Sequence, residues 1–193
     1  MCIIGSPRKN GTTATVVDKM IAGLLEKGVD VRQYGLGALD INYCRGCHTC
    51  EETGRCVQRD DMDLVIGDLF AADIVLLASP SYWGDVTGQL KVFIDRCTPL
   101  CNAKTGETLV PPGKMGVAVA VRAGSGVAEN QHIVDTIAHF FGHLGIDLAA
   151  SYTLEGVEHP ADLEGKTDEM RESYKLGLEI SDRARRVVGG NSE

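Results

Sequence analysis

Short, continuously apolar runs alternate with stretches of helical periodicity along this chain, and that alternation restricts the fold more than any other feature of the sequence. The runs span Met1 to Gly5, Val29 to Tyr34, Asp73 to Ser79, Met115 to Val121 and Ile146 to Leu154. Short runs rich in Val, Ile and Ala read as strands buried on both faces, and such strands belong to parallel sheets covered by helices. Helical patterns fill the gaps at about Thr13 to Lys27, Asp61 to Ala71, Gly88 to Cys101, Ala128 to Leu144 and Thr167 to Val188. Five strand–helix units predict a doubly wound three-layer α/β sandwich around one five-stranded parallel sheet. A length of 193 residues suits one such domain across 1–193. One stretch fits neither element: a cysteine-rich excursion over about 37–59. Long excursions of that kind inside compact domains usually carry function.

Composition narrows the partners. At 44% hydrophobic and 24% charged the chain reads as globular, and its formal net charge of −8 disfavours nucleic acid, which needs a basic face. No apolar run is long enough to span a membrane and no signal-peptide pattern opens the chain, so a cytoplasmic, reducing environment is expected.

The loop after the first strand, Gly5-Ser6-Pro7-Arg8-Lys9-Asn10-Gly11-Thr12-Thr13, opens the first helix at the carboxyl edge of the sheet, where ligands bind in open α/β folds. Ser6, Asn10, Thr12 and Thr13 offer short donors, Gly11 permits close backbone approach, and Arg8 and Lys9 add positive charge to the oriented N–H groups of a helix start. A Walker A loop needs Lys-Ser/Thr directly after its second glycine, but Thr12-Thr13 follow Gly11; a dinucleotide fingerprint needs G-x-G-x-x-G, which is absent. A mononucleotide phosphate remains, against the plainer alternative of a polar capping turn that binds nothing.

GSPRKNGTT after an N-terminal strand resembles the FMN-phosphate loop of the NADPH-dependent FMN reductase family. Ser79-Pro80-Ser81-Tyr82-Trp83-Gly84 resembles that family's flavin-ring loop, and Leu90 to Arg96 its following helix. The resemblance covers most of the chain, weakening after about Asp147, and members usually carry several residues ahead of the strand that here starts at Met1. It implies a flavodoxin-like sheet in the order 2-1-3-4-5, FMN at the ends of strands one, three and four, and a homodimer or homotetramer. Pro80, Ser81, Tyr82, Trp83 and Gly84 would then flank the isoalloxazine, with Tyr82 and Trp83 either packing on the ring or plugging the core. By the same resemblance the loop carrying Arg122, Gly124 and Gly126 also lines the flavin. Arg122 can offset charge on a reduced ring, attract a nicotinamide phosphate, or sit in a surface ion pair.

The cysteines are spaced Cys44-x2-Cys47-x2-Cys50-x5-Cys56. Thiolates at successive three-residue intervals, closed by a fourth, suit an iron–sulfur cluster or zinc; redox-active thiol pairs or a metal-free loop are the other readings. The ferredoxin run C-x2-C-x2-C-x3-C-P differs in its last gap and in Val57 at the proline position. The segment resembles that of the iron–sulfur flavoproteins, a branch of the same family, which implies a [4Fe–4S] cluster exchanging electrons with FMN across a subunit interface. The resemblance as a whole implies an oxidoreductase moving electrons between a donor, NAD(P)H or ferredoxin-like, and a small-molecule acceptor or redox protein. A cluster-free NAD(P)H:flavin or quinone reductase and a non-enzymatic electron carrier are the alternatives. Asp60-Asp61 are expected to cap the next helix, Cys97 and Cys101 to share one face of a helix, and His139 and His143 to be packing or surface residues.

Overall fold

The computed structural model describes residues 1–102 and 104–190. Five parallel strands, β1 (Cys2–Ile4), β2 (Gln33–Gly35), β3 (Ile74–Pro80), β4 (Met115–Val121) and β5 (Asp147–Leu154), form one sheet in the order β2-β1-β3-β4-β5. This is the flavodoxin-like topology expected from the sequence. Every residue of β3 is buried, as a central strand without a solvent face requires.

The described residues hold six α-helices: α1 (Thr12–Glu26), α2 (Thr49–Thr53), α3 (Met62–Ala71), α4 (Gly88–Arg96), α5 (Val127–His143) and α6 (Thr167–Gly190), all but the short α2 packing on the faces of the sheet. Alternate strand residues feed opposite cores. Ile3, Val75, Leu77 and Ala118 meet Val65, Leu69, Phe93 and Ile137 from α3, α4 and α5. Cys2, Ile4, Leu76 and Val119 meet Val16, Val17, Met20 and Ile180 from α1 and α6. The crossing of α1 and α6 is unusually close: a Cβ on Gly177 would lie 2.0 Å from the Met20 carbonyl oxygen, and one on Gly23 would lie 2.3 Å from that of Tyr174. Only glycine fits at either point. Ser173 adds a buried hydrogen bond from its hydroxyl to the Val16 carbonyl at 2.9 Å.

The sequence reading departs from the structure at three places. Strand two was expected over Val29 to Tyr34, but pairing starts only at Gln33, opposite Cys2. Val29 and Val31 lie outside the β1–β2 ladder and pack on the α1/α6 core instead. The helix expected from Gly88 to Cys101 stops at Arg96, because Pro99 has no N–H to continue the ladder to the Asp95 carbonyl, which accepts the Thr98 hydroxyl instead, and a single 3-10 turn, Thr98–Leu100, follows. Cys97 is therefore a buried core thiol, while Cys101 lies in an antiparallel bridge with Thr108; they do not share a helix face. The cysteine-rich excursion is irregular apart from the 3-10 turn Leu36–Ala38 and the short α2. Among the described residues, no helix is long and apolar enough to cross a membrane.

Candidate functional site

A parallel sheet brings the ends of β1, β3 and β4 to one edge, so the loops beginning at Gly5, Ser81 and Arg122 share it. In the first loop Ser6 is buried, and its hydroxyl accepts the Arg8 N–H at 3.2 Å, which folds the loop back on itself. Thr12 and Thr13 are buried at the start of α1, and the Thr13 hydroxyl has no partner. Gly11 caps α1 without any side-chain hydrogen bond, and the first turn carries no acidic residue. The early N–H groups of a four-turn helix are thus left without a side-chain acceptor, beside an orphaned hydroxyl. A Cβ on Gly11 would come 3.1 Å from Arg8 Cβ and 3.5 Å from Ser6 Oγ, so the cradle is built around its absence. Arg8, Lys9 and Asn10 are exposed; Arg8 donates to the Glu158 carbonyl at 3.2 Å. An FMN phosphate, an anion needing several short donors, fits this donor set.

Ser6, Arg8, Lys9 and Asn10 line a cavity of about 410 Å³ that extends toward Gln33, Gly35 and Gly37 at the end of β2. It does not include the Pro80 or Arg122 loops. Gly37, at the root of the cysteine-rich excursion, packs against Pro7: a Cβ there would lie 3.0 Å from the Pro7 Cα.

Thr87 joins the phosphate loop to the ring loop. Its hydroxyl donates to the Gly5 carbonyl at 2.6 Å and accepts the Leu90 N–H at 3.2 Å, capping α4, while its own N–H donates to the Ser79 hydroxyl at 3.0 Å. Its position just before a helix start is a readable cap signal, but the bond to Gly5 crosses 82 residues of sequence and has none.

Beyond the buried Pro80, residues Tyr82 to Asp85 form a tight turn closed by reciprocal backbone hydrogen bonds, Tyr82 N–H to the Asp85 carbonyl at 3.0 Å and the reverse at 3.2 Å. Its central residues, Trp83 (φ 56°) and Gly84 (φ 78°), are both left-handed, as in a type I′ turn. That geometry suits Gly84 and strains Trp83. Trp83 is also fully exposed at 106% and Tyr82 is 42% exposed, so neither plugs the core. A strained aromatic displayed at a ligand edge is a feature of functional sites.

Arg122 is mostly buried and its guanidinium pairs with Glu129 of α5 at 2.9 Å and donates to the Gly126 carbonyl. The ion pair, one of the roles open to it, is present. Gly124 lies beside the guanidinium, where a Cβ would come 2.7 Å from one terminal nitrogen and require the side chain to shift. Glu129 also accepts from the Ser81 hydroxyl at 3.4 Å and packs on Gly84, so it bridges the second and third loops. No local pattern in the sequence singles it out.

Cys44, Cys47, Cys50 and Cys56 line one cavity of about 200 Å³, backed by Arg96 and Pro99. All four are free thiols. Burial pushes the Cys50 thiol up, and the thiols of Cys56, Cys47 and Cys44 push it the same way, which reflects four sulfurs sharing a small space. The exposed Cys47 thiol is instead lowered by hydrogen bonds from Thr49. Among the described residues no three His, Cys, Asp or Glu side chains converge as ligands of one ion would. Cysteine thiolates are the donors that an iron–sulfur cluster takes. Four soft donors around one cavity fit such a group.

The loop is tied at its neck. Arg96 and Asp60 form a bidentate pair at 2.6 and 3.0 Å, with side chains 2% and 1% exposed, and Arg96 also donates to the Asn42 carbonyl at 2.8 Å. Asp60 accepts the Asn42 and Met62 N–H groups at 3.1 and 3.2 Å and so satisfies the first amide of α3, whereas Asp61, at the N-cap position and expected to share that task, makes no capping bond and accepts the Asp40 N–H at 2.8 Å instead. Burial alone would raise the Asp60 carboxyl, but Arg96 and the Asn42 and Met62 amides outweigh it and hold it well below the usual carboxylate range. Burial likewise opposes the Arg96 charge, yet Asp60, and then Cys56, keep it firmly protonated. Arg96 lies on the buried stripe of α4 with Leu90 and Phe93, a helical spacing that could have marked it.

Residues 1–150 match the family model for NADPH-dependent FMN reductase. The chain belongs to that family. Within it, an iron–sulfur flavoprotein of Archaeoglobus fulgidus is 42% identical over 127 residues, 66% of this chain and 56% of that protein. One of Methanocaldococcus jannaschii is 32% identical over 186 residues, covering 93% of this chain and 94% of its own. Among solved structures, an FMN-dependent NADH-azoreductase from Bacillus anthracis superposes with a TM-score of 0.70 at 14% identity, covering 94% and 97% of the two chains. A flavodoxin from the domain Archaea gives 0.59 at 17%, covering 95% and 96%. At such identities the likeness establishes the fold alone. His139 and His143, by contrast with the edge loops, stack edge-on in the last turns of α5, where they are exposed, apart from the three loops.

Proposed function

We propose that this chain is an FMN-dependent oxidoreductase whose phosphate loop is Ser6 to Thr13 and whose flavin-ring contacts come from Pro80–Gly84 and the Arg122–Gly126 loop. The observation that carries the reading is the start of α1: uncapped N–H groups, an orphaned Thr13 hydroxyl and a glycine that leaves room beside Ser6. Bound FMN supplies the electron chemistry, accepting or giving one or two electrons. The chain's own residues hold the phosphate, present Tyr82 and Trp83 to an aromatic ring, and fix the Ser81 and Arg122 loops through Glu129.

Cys44, Cys47, Cys50 and Cys56 would hold a [4Fe–4S] cluster, a group that supplies single electrons. The naming of the archaeal relatives and the shared cavity of the four thiols support this. NAD(P)H or a ferredoxin-like protein is the proposed donor, a small molecule or redox protein the acceptor, and a homodimer or homotetramer the working form. The test is the absorption spectrum of anaerobically purified protein, with flavin, iron and acid-labile sulfide counted per chain. One flavin with about four irons and four sulfides is expected. Flavin without iron identifies a cluster-free reductase. Absence of flavin after reconstitution with FMN overturns the proposal, and FMN binding without turnover of NADPH and a quinone identifies a carrier.

A further inference from the structure

Arg96 is a buried charge whose fork is only partly used. Its two terminal nitrogens are taken by Asp60 and the Asn42 carbonyl. Those partners stand on either side of the cysteine segment, Asn42 just before Cys44 and Asp60 just after Cys56. Nε is left: it is buried, and it has no hydrogen-bond partner. A buried guanidinium N–H without a partner is costly and calls for an explanation. The Arg96 side chain is itself part of the wall of the cysteine cavity, together with Cys56. The bidentate pair with Asp60 fixes the plane of the guanidinium, so the orientation of the free N–H is set before any group enters the cavity.

We propose that Arg96 is a positioning residue for the cysteine site, its Nε–H donating a hydrogen bond to the Cys56 sulfur when the four thiolates are loaded, and thereby raising the reduction potential of the group they hold. The inference rests on the cluster reading above. A donor to a ligand sulfur draws charge from the metal–thiolate bond and favours the reduced, more negative state. The Asn42 and Asp60 contacts give the same residue its second task, closing the neck of the loop so that Cys44 and Cys56 start from fixed points.

The test compares the full-length protein, reconstituted anaerobically with iron and sulfide, with Arg96→Lys and Arg96→Gln. Lysine keeps a cation for Asp60 but has no Nε–H fork. At equal cluster content, the one-electron reduction constant of Arg96→Lys should fall at least tenfold, a shift of 59 mV to lower potential, and its iron–thiolate stretching bands should move to higher frequency. Arg96→Gln should shift the potential in the same direction while also loading less iron. A purely structural role would lower loading and melting temperature but leave the potential and bands of the loaded fraction unchanged; that result overturns the proposal. A wild type that takes up no iron overturns the cluster reading and this inference with it. Should neither variant load, wild type reconstituted in D2O decides: bands that differ from those in H2O support an N–H donor to sulfur, and coincident bands refute it.

Discussion

Asp60→Asn is the substitution that most directly questions how the neck of the cysteine loop is held. The side chain is 1% exposed and serves five donors: two nitrogens of Arg96, the backbone and side-chain amides of Asn42, and the Met62 amide. Asparagine preserves the shape and one acceptor oxygen, so no cavity forms and the α3 cap survives in part. What it removes is the counter-charge. Stranding a buried guanidinium by deleting its partner costs about 3–5 kcal/mol. For a chain of this size each kcal/mol moves the melting temperature by roughly 2–4 °C, so the variant should melt about 6–20 °C lower. The assay is thermal unfolding followed by circular dichroism at pH 7, with both proteins in the same cofactor state. The pH dependence supplies a sign test. A carboxyl held below its unfolded value contributes stability that is full above about pH 4 and is lost as pH falls further. The difference between wild type and Asp60→Asn should therefore be constant above that point and shrink below it. Replacing both partners, Asp60→Asn with Arg96→Met, should recover much of the loss. A single variant that melts within about 1 kcal/mol of wild type would show that the pair is not what holds the neck.

Four further outcomes follow from the same geometry. Gly177→Ala places a methyl 2.0 Å from the Met20 carbonyl and should cost about 1–3 kcal/mol in denaturant titration; Gly67→Ala, on an exposed face of α3 with nothing near its Cβ, should instead stabilise by about 0.5–1 kcal/mol. Trp83→Asn relieves a left-handed bulky residue and should raise stability by about 1 kcal/mol. It should at the same time weaken FMN retention, measured by flavin fluorescence on dilution. Ser6→Ala with Arg8→Ala removes donors to the phosphate and should weaken FMN binding roughly tenfold to a hundredfold by fluorescence titration; unchanged affinity would refute the assignment of the loop.

The layered sheet was legible because its evidence is local. Continuous runs such as Val75 to Ala78 cannot face water on either side, and the helices between them leave one class of architecture. The phosphate loop was legible for the same reason, since its donors are neighbours in sequence. What stayed hidden depends on partners far along the chain. Arg122 presents itself as a free cation until Glu129 is seen against it. Thr87 reads as a cap, yet its bond to Gly5 decides where the phosphate loop sits relative to the ring loop. Asp60 reads as a cap too, and the arginine that fixes its ionisation is 36 positions away. The end of α4 was missed because the apolar period continues through Cys97 and Leu100 while Pro99 breaks the backbone beneath it.

The glycine crossing of α1 and α6 has a consequence for how the protein comes into being. Helix α1 leaves the ribosome early, but the surface made for it lies on the helix that begins at Thr167, and Ser173 reaches back 157 residues to bond Val16. Gly23 and Gly177, facing each other at the crossing, are what let α6 come this close to α1. The flank of α1 that α6 covers therefore stays open during synthesis until α6 has emerged. Contacts this far apart in sequence close slowly, so the pairing of the two helices is expected among the later steps by which the chain reaches its final packing.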